Sequence, residues 1–515
     1  MTSRFLSSSA ILFFLVTSFF AVTWRGGHFN SPDETANAFF IRQYVQTGSF
    51  RVAEPFNVVA ENIIHPRAVA ITEHDLVPGS FLGMLLLYGW IAKIFGLWTV
   101  PFLTSLFALG AAFAFRSIIT RIFDDRIARW SFILFLFHPA LLYYTGRSLF
   151  PNVLFLSLLC IGVALLLSAR THWRWFFGSL VIGLALTVRT AEVGWMFAVA
   201  MLLWYFYRRE ITWRRVALSL CAVAIAFLPI FLHNNSLYGN PFYNGYSQID
   251  SDALPAVFAW HLQSRFLSTL LSLLLPFGIK PAVVLGNAYA YGIWFFWWMA
   301  VPTILGLVLY VRVFQSKREP RAIFTVCFLL TAVWLFVYYG SWEFRDTTLL
   351  GPTIGTSYVR YWLPLFIFGI PYAAYALQSI KNDMMRRGAV AILFSLSFTV
   401  VFLQTPESLL PLYRTAQTDR AVTQSVLQKT DAAGVILTER SDKLFFPDRH
   451  VLFNDPLDQK KIDRVVALLA DRMPVYYFTE LEKHDIDFIN ERRLASYGVA
   501  WSGGEEIGGQ RLYRL

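Results

Sequence analysis

FLSSSAILFFLVTSFFAVTWRGGHFNSPDE, residues 5–34, joins a long apolar run to a short acidic stretch. The run from Phe5 to Trp24 follows Arg4 and is about as long as a helix that crosses a bilayer. It is too long for the apolar part of a signal peptide, and no small-residue cleavage pattern follows it. We therefore expect an uncleaved first transmembrane helix that begins in the cytoplasm.

Two adjacent carboxylates, Asp33 and Glu34, lie just beyond this helix. Ionised groups at a membrane edge are costly unless they face water, a partner or a substrate. Ser31 fits a helix N-cap, Pro32 the first helical position and Glu34 the third, so a capping box would also explain the stretch. The sequence predicts a helix start here, and catalysis at the same place is compatible with it.

The composition identifies the class of protein. The chain has 515 residues, of which 56% are hydrophobic, 17% aromatic and only 15% charged, so it is expected to be an integral membrane protein. Its net charge of +11 comes from short basic clusters between apolar segments, which indicates membrane topology rather than nucleic-acid binding. The three cysteines lie in apolar runs without metal-ligand spacing, so we interpret them as buried hydrophobic residues.

The pattern of apolar runs predicts about eleven transmembrane helices. After the first, they cover residues 98–119, 129–146, 152–169, 175–188, 193–207, 216–233, 284–312, 322–340, 358–378 and 389–404. Alternate loops are basic and are placed in the cytoplasm. The N-terminus is then cytoplasmic and the C-terminus extracytoplasmic. The same count makes 77–96 a re-entrant or juxtamembrane helix on the outer face of the inner (cell) membrane, and places the apolar run 266–275 in the long outer loop, rather than treating either as a crossing.

The predicted fold class is therefore an all-α polytopic membrane protein with a small C-terminal α/β domain. Residues 1–404 form the membrane domain, with outer loops at 25–97 and 234–283, and residues 405–515 form the extracytoplasmic domain. In the latter, VILTE (435–439), HVLF (450–453) and VYYF (475–478) alternate with helical stretches near 413–429 and 459–472. The last residues predict a hairpin. This domain either binds an acceptor or a partner, or stabilises the protein.

Polar residues near membrane boundaries gather on the predicted outer side, where they could line one cavity. The cations Lys280, Arg345 and Arg360 suit a phosphate or pyrophosphate group. Arg147 is a further candidate, although it equally fits a basic side chain that reaches lipid headgroups. The polar outer residues that we consider for substrate binding include His65, Arg67 and Asn152.

A metal site is not indicated by the sequence. His65 and His74 do not form a metal-binding motif and are better explained as hydrogen-bonding loop residues. Carboxylates of the first outer loop could supply oxygen ligands, but their spacing specifies no site. We therefore assign no metal ligand and no cofactor, and dependence on a divalent metal stays open.

The order of several motifs resembles that of GT-C class glycosyltransferases, which include protein O-mannosyltransferases and bacterial lipid A aminoarabinose transferases. The motifs are PDE at 32–34, Phe95-Gly96, Pro151-Asn152, N-x-x-x-G-N-P-F-x-x-G-Y at 235–246, and R-Y-x-x-P at 360–364. The resemblance covers about the first four-fifths of the chain. Each motif alone is weak, and their order makes the match specific.

The resemblance implies transfer of a sugar from a polyprenyl-phosphate carrier to an acceptor hydroxyl outside the cytoplasm, usually with inversion. Asp33 matches the catalytic carboxylate of the family and is assigned as general base, with Glu34 holding the acceptor or the base. Arg360, then Lys280, Arg345 and Arg147, are assigned to the leaving phosphate. Asn235, Tyr246, Tyr291 and Tyr361 complete the expected substrate site.

In one respect the chain differs from the family. Several relatives have an acidic residue where this chain has Asn152, and an amide orients a hydroxyl but cannot act as a base. More of the proton transfer would then fall to Asp33. The expected partners are the lipid-linked donor, the bilayer, and a glycolipid, polysaccharide or protein acceptor, with no nucleic acid.

Other functions remain open from the sequence. A transporter or flippase of lipid-linked sugars also needs outer cations, but it predicts ionisable residues deep within helices and broken helices in both halves. A polysaccharide polymerase or ligase is poorly separated from a glycosyltransferase by sequence. A non-catalytic membrane scaffold is the remaining alternative.

Overall fold

Long apolar helices make up most of the chain in a computed structural model, which describes residues 3–23, 29–246, 275–312, 319–343, 351–455 and 458–515. The chain divides into two units. The first, which we call the membrane unit, comprises Met1–Val22, Val100–Ile230 and Asp250–Pro411. The second, which we call the mixed unit, comprises Thr23–Thr99, Phe231–Ile249 and Leu412–Leu515.

The membrane unit is helical throughout its described part. Its helices are Ser3–Thr23, Val100–Ile122, Asp125–Leu136, Pro139–Arg147, Pro151–Leu167, His172–Val188, Val193–Phe206, Trp213–Tyr238, Pro281–Asn287, Trp297–Val311, Pro320–Gly340, Ser357–Tyr361, Leu363–Ser379 and Asp383–Phe402. The first and the eighth of these continue past the boundary of the unit. Since apolar side chains cover both the inner and the outer faces of several helices, the unit suits a lipid surrounding.

Five described helices are long and apolar enough to cross a membrane, or up to eight if each of three bent helix pairs is one span. The five are Arg4–Thr23, Leu97–Ile122, Trp213–Tyr238, Pro320–Gly340 and Asp383–Phe402. Pro151–Leu167 and Leu363–Ser379 are shorter apolar helices. The predicted multi-pass membrane fold is confirmed, whereas the count of about eleven crossings stays a prediction.

Two parts of the membrane unit contain sharp bends. The apolar run 284–312 is not one helix: a π-helical turn over Ala288–Trp294 is followed by a bend of 96° before Trp297–Val311, because Phe296 leaves helical geometry (φ −120°, ψ 41°). The runs 175–188 and 193–207 are two helices, as predicted, with a bend of 114° between them. Arg189 begins that bend, where its backbone leaves helical geometry (φ −143°, ψ 84°).

The mixed unit combines helices with two sheets. Its helices are Pro32–Thr47, Leu82–Phe95, Leu409–Lys429, Asp442–Phe445, Gln459–Ala470 and Lys483–Ile489. Leu82–Phe95, which lies in the predicted outer-face helix 77–96, has 14 residues and is shorter than the ~20 residues of a typical spanning helix. Most of the apolar run 266–275, which the sequence analysis placed in the long outer loop, lies outside the described residues.

The sheets confirm the predicted α/β character of the C-terminal region. Strands β1 (Val69–Thr72) and β2 (Asp75–Pro78) form a hairpin in the first outer loop. The larger sheet has the order β4-β3-β5-β7-β6, with β3 (Val435–Thr438), β4 (His450–Phe453), β5 (Val475–Thr479), β6 (Ser502–Ile507) and β7 (Gln510–Arg514). Strands β4, β3 and β5 are parallel. Strands β6 and β7 form the predicted terminal hairpin.

The first outer loop folds together with the C-terminal region, whereas the sequence analysis placed it in the membrane domain. Ala60 and Ile64 are buried in the same hydrophobic core as Val435 and Leu452 of the larger sheet. Polar contacts join the two segments as well, because Glu54 contacts His450 Nδ1 at 2.7 Å and Arg67 forms an ion pair with Asp442 at 2.7 Å. Hydrophobic burial of this kind is the main source of folding free energy, so the loop and the C-terminal strands form one folded unit.

Candidate functional site

The PDE stretch begins the helix Pro32–Thr47, as the sequence predicted. Ser31 has an extended backbone, and its hydroxyl accepts a hydrogen bond from the backbone N–H of Asp33 at 3.3 Å. The Ser31 carbonyl accepts the N–H of Thr35 at 3.2 Å. Because proline supplies the first helical position with a preset φ, the start of this helix is fixed by local chemistry.

The two carboxylates at this start differ in exposure. Asp33 is partly exposed, whereas Glu34 is 0% exposed. Both carboxylates lie in the first turn, where the positive end of the helix dipole favours a negative charge. Asp33 is therefore the carboxylate that a soluble or lipid-linked molecule can reach, and Glu34 supports the helix from within the unit.

Arg67, a predicted substrate residue, is engaged by the protein itself. Its backbone N–H donates to Asp442 Oδ2 at 2.8 Å, and its Nη2 donates to Asp442 Oδ1 at 2.7 Å and to the Arg440 carbonyl at 2.9 Å. Asp442 is 0% exposed. A carboxylate buried to this extent is costly without a cationic partner. Arg67 is that partner, and its guanidinium group therefore links the first outer loop to the C-terminal region of the mixed unit.

His65, two residues earlier, is half-buried beside the same carboxylate. Its Nδ1 donates a hydrogen bond to the Pro66 carbonyl at 3.0 Å, which leaves Nε2 as the acceptor nitrogen of the neutral ring. Burial lowers the pKa of His65 below 6.5, and the nearby Asp442 partly opposes this effect. The neutral imidazole is therefore the form present at neutral pH.

The motif at 235–246 packs against the segment that follows β2. Tyr238 donates its hydroxyl to the Pro78 carbonyl at 2.7 Å, and the ring of Tyr246 lies 5.0 Å from that of Phe81. Gly245 approaches the backbone of Pro78 so closely that any Cβ there would clash. Packing within the mixed unit therefore explains why Gly245, Tyr238 and Tyr246 occur in this stretch.

Asn235, which the motif places in the substrate site, has an exposed side chain. Its neighbour Asn234 is only 5% exposed and donates from Nδ2 to the Pro241 carbonyl at 3.2 Å. Sequence reasoning missed Asn234, although it precedes the quoted motif directly. Its amide ties the last turn of the helix Trp213–Tyr238, which carries Asn235, to the loop that follows at Pro241.

Two predicted phosphate-binding residues come together in the membrane unit. The guanidinium carbons of Arg147 and Arg360 lie 5.2 Å and 4.6 Å from the centre of the same Phe150 ring. Arg147 is 3% exposed, and its Nη1 donates to the Tyr143 hydroxyl at 2.8 Å. The aromatic ring orients both cations by cation–π contact, which creates a positive region suited to an anion.

Neighbouring residues hold Arg360 in this arrangement. Asn152 donates from Nδ2 to the Arg360 carbonyl at 3.1 Å, so the Pro-Asn pair that opens Pro151–Leu167 positions the backbone of the R-Y motif. Arg360 Nη2 donates to Ser357 Oγ at 3.1 Å. Tyr361 stacks on Tyr339, with ring centres 4.7 Å apart. Arg147, Asn152, Arg360 and Tyr361 therefore form one cluster in the membrane unit, and their place on the outer face stays a prediction.

A buried ion pair supports Tyr361, although neither of its residues was assigned a role in the site from the sequence. Arg189 and Glu192 are 5% and 1% exposed and are joined at 2.9 Å. Tyr339 donates to Glu192 and accepts from Arg189, each at 2.7 Å, while Arg189 also lies over the Tyr361 ring. Opposite charges three residues apart in the apolar stretch LTVRTAEV were the signal that could have revealed this pair.

Of the remaining candidates, the structure describes Lys280 and Tyr291, both in the membrane unit. Lys280 pairs with Glu343 at 3.3 Å, and both side chains are well exposed. Tyr291 is buried and lies 5.0 Å from the ring of Tyr358, in the helix that carries Arg360. Arg345 lies outside the described residues. The structure thus joins Tyr291 to the R-Y helix and gives Lys280 an anionic neighbour.

The candidate residues divide between the two units. Arg147, Asn152, Lys280, Tyr291, Arg360 and Tyr361 belong to the membrane unit, whereas Asp33, Glu34, His65, Arg67, Asn235 and Tyr246 belong to the mixed unit. Across the described ranges, no three or more His, Cys, Asp or Glu side chains are grouped so that they could hold a metal ion. The membrane-unit cluster can bind an anion, and Asp33 can accept a proton.

Comparison with known proteins gives a match in structure. No protein-family model and no curated protein sequence matches this chain. The crystal structure of ArnT from Cupriavidus metallidurans bound to undecaprenyl phosphate matches 100% of this chain and 98% of its own, with 12% identity and a TM-score of 0.60. The oligosaccharyltransferase from Archaeoglobus fulgidus, in its apo form, matches 93% of this chain and 70% of its own, with 11% identity and a TM-score of 0.54.

Both of these proteins are GT-C glycosyltransferases. The match to ArnT extends over the mixed unit as well as the membrane unit, because it covers the whole chain. At 12% identity it is a statement about the fold. The chain therefore has the GT-C fold that its motifs indicated.

Proposed function

We propose that the chain is a membrane glycosyltransferase that moves a sugar from a polyprenyl-phosphate carrier to an acceptor hydroxyl on the extracytoplasmic side. The observation that carries the proposal is the pair of guanidinium groups, Arg147 and Arg360, held over one Phe150 ring. Paired guanidinium groups bind phosphate oxygens by charge-assisted hydrogen bonds. A solved structure of the same fold is bound to undecaprenyl phosphate, which supports the choice of carrier.

In the proposed reaction, the acceptor oxygen attacks the anomeric carbon of the donor sugar from the face opposite the phosphate. The new carbon–oxygen bond forms as the bond to the phosphate oxygen breaks, and the configuration inverts. Asp33 takes the proton of the acceptor hydroxyl, and polyprenyl phosphate leaves with the bonding electrons. Because an ordinary carboxylate is a weak base for an alcohol, proton removal accompanies the attack rather than preceding it.

The other candidates have supporting roles in this proposal. Arg360 and Arg147 stabilise the charge that develops on the leaving phosphate, and Asn152 keeps Arg360 in place through its carbonyl. Lys280, which pairs with Glu343, and Arg345 are further candidates for binding the phosphate. Tyr361 and Tyr291 contact the sugar or the carrier. Glu34, being buried, orients Asp33 through the helix that both residues share.

The acceptor class is the least constrained part of the proposal. A second structure of the archaeal oligosaccharyltransferase, with a TM-score of 0.50 to this chain, carries a tethered acceptor peptide. Glycolipid, polysaccharide and protein hydroxyl groups are each compatible with a carboxylate base. The donor, by contrast, is tied to the cationic cluster, so the first experiment should follow the fate of the carrier.

The test uses the purified full-length chain in lipid vesicles with a polyprenyl-phosphate sugar and a panel of acceptors. We expect release of polyprenyl phosphate together with glycosylation of an acceptor. Asp33→Asn should fold normally, because Ser31 still caps the helix, and should slow transfer by about 10²–10⁴-fold, the usual contribution of a general base. Asp487→Asn changes an exposed aspartate of the same unit and serves as the matched control.

Two outcomes would contradict the proposal. Unchanged transfer by Asp33→Asn would remove Asp33 from the role of base. Movement of the intact donor across the bilayer, without release of polyprenyl phosphate by any acceptor, would identify a flippase instead.

A further inference from the structure

The C-terminal domain reaches the start of the helix that carries Asp33 through two adjacent residues. Asp442 and Lys443 follow the carboxyl end of the parallel strand β3, and all of the residues involved belong to the mixed unit. Lys443 Nζ donates to the Asn30 carbonyl at 2.6 Å. Asn30 directly precedes the cap residue Ser31. Lys443 therefore fixes the chain at the point where it enters the helix.

Asp442 acts on the same helix start through a neighbouring loop. Its buried carboxylate holds Arg67 by the backbone N–H at 2.8 Å, by Nε at 3.1 Å and by Nη2 at 2.7 Å. Pro66 and Arg67 line one cleft together with Pro32, Thr35 and Lys443. The loop that Asp442 anchors is thus packed along the first turn of the helix.

An aromatic contact extends this support one turn further. The ring of Phe446, which follows the short helix Asp442–Phe445, lies 4.6 Å from the ring of Phe39 in an edge-to-face arrangement. The C-terminal domain therefore touches the residue before the cap, the loop beside the first turn and the second turn. These contacts leave the helix start little freedom to rotate or tilt.

We propose that Asp442 and Lys443 are positioning residues, through which the C-terminal domain sets the orientation of the Asp33 carboxylate. The inference rests on the proposed function, because it assigns these residues a part in the transfer reaction. A displacement of about 1 Å in a catalytic group lowers rates by about 10²-fold. The domain is thereby a component of the catalytic apparatus and not a detachable appendage.

The main test is Lys443→Met in the full-length protein, which keeps the length of the side chain and removes its charge. We expect kcat for sugar transfer to fall about 10- to 100-fold while KM for the lipid donor stays unchanged. Lys443→Arg should restore most of the rate. Lys429→Met is the matched control, since the ammonium group of Lys429 also has a partner in the mixed unit, Glu505 of strand β6, in place of Asn30. It should leave kcat unchanged.

A double variant separates positioning from simple destabilisation. In an Asp33→Asn background, Lys443→Met should cause no further loss of transfer, because there is no base left to orient. Multiplication of the two losses, or a fall in kcat that matches the loss of folded protein, would overturn the proposal. Asp442→Asn should behave like Lys443→Met if it folds, and the Lys443 series decides the question if it does not.

Hydrogen exchange distinguishes failure of this inference from failure of the proposed function. The amide of Thr35 donates to the Ser31 carbonyl at 3.2 Å and reports on opening of the helix start. Lys443→Met should speed its exchange, whereas exchange in strand β5 should not change. Absence of sugar transfer by the wild-type protein would overturn the proposed function alone, and unchanged exchange at Thr35 would overturn the positioning role alone.

Discussion

A single aromatic ring, that of Phe150, contacts the guanidinium groups of both Arg147 and Arg360. A guanidinium group that is 3% exposed, as in Arg147, would be costly without compensation, and here the compensation includes the Tyr143 hydroxyl and the face of Phe150. The same ring also contacts the guanidinium group of Arg360. The two cations therefore occupy defined positions before any ligand arrives, which reduces the entropy lost on binding an anion.

At the residue scale we predict that Arg360→Gln and Arg147→Gln each raise KM for the lipid-phosphate donor about tenfold or more. The reason is the loss of a charge-assisted hydrogen bond, which is worth about 1.5–3 kcal/mol. The double variant should lose less than the product of the two single losses, because the residues share one ring and one phosphate. Initial-rate kinetics over a range of donor concentrations measures these effects.

Arg360→Lys refines this prediction. It keeps the charge but loses the planar group that stacks on Phe150, so it should recover only part of the affinity. Arg472→Gln, an exposed arginine of the mixed unit, is the control. Fully additive losses in the double variant would mean that the two cations act on separate ligands.

Residues at both ends of the helix Pro32–Thr47 specify where it starts and where it stops. Its start is specified by Ser31, by Pro32 and by two acidic residues of the first turn, all readable from the sequence. Its end is specified by Gly48, whose φ of 79° suits glycine and whose N–H donates to the Tyr44 carbonyl at 2.9 Å. Local signals thus determine both ends of the helix that presents Asp33.

At this scale we predict that Ser31→Ala destabilises the helix start by about 1 kcal/mol, the usual value of an N-cap hydroxyl. Exchange of the Thr35 amide should become about fivefold faster, and kcat should fall because Asp33 is held less firmly. Ser31→Asp, which also caps helices, should retain the wild-type exchange rate. Equal exchange rates in the alanine and aspartate variants would show that tertiary contacts alone hold this end.

Considered as a whole molecule, the chain was predictable from sequence where local or periodic signals decide the structure. Apolar runs predicted the membrane helices, and short β-branched and aromatic stretches predicted β3, β4 and β5. Arg67 illustrates the limit, because its partner Asp442 lies 375 residues away and no local pattern joins them. The first outer loop was consequently assigned to the membrane domain, although its apolar residues complete the core of the C-terminal sheet.

The protonation of His65 tests whether the first outer loop and the C-terminal domain fold as one unit. Burial lowers its pKa below the ordinary value of 6.5, and its charged neighbours Asp442 and Lys461 come from the C-terminal domain. In the unfolded chain the ring takes up a proton as the pH falls through 6.5, whereas the folded unit resists protonation until a lower pH. The stability contributed by neutral His65 is therefore complete above 6.5 and is lost progressively below it.

We accordingly predict that the mixed unit loses stability on mild acidification and that His65→Gln reduces this loss. The measurement is exchange of the core amides of β3 between pH 7.5 and 5.5, corrected for the intrinsic pH dependence of exchange. His484→Gln, whose ring is 77% exposed, should behave like the wild-type protein and is the control. An identical pH dependence in His65→Gln and the wild type would show that His65 keeps an ordinary affinity for protons. Because β3 is far along the chain from His65, a difference there would demonstrate that the loop and the domain unfold as one unit.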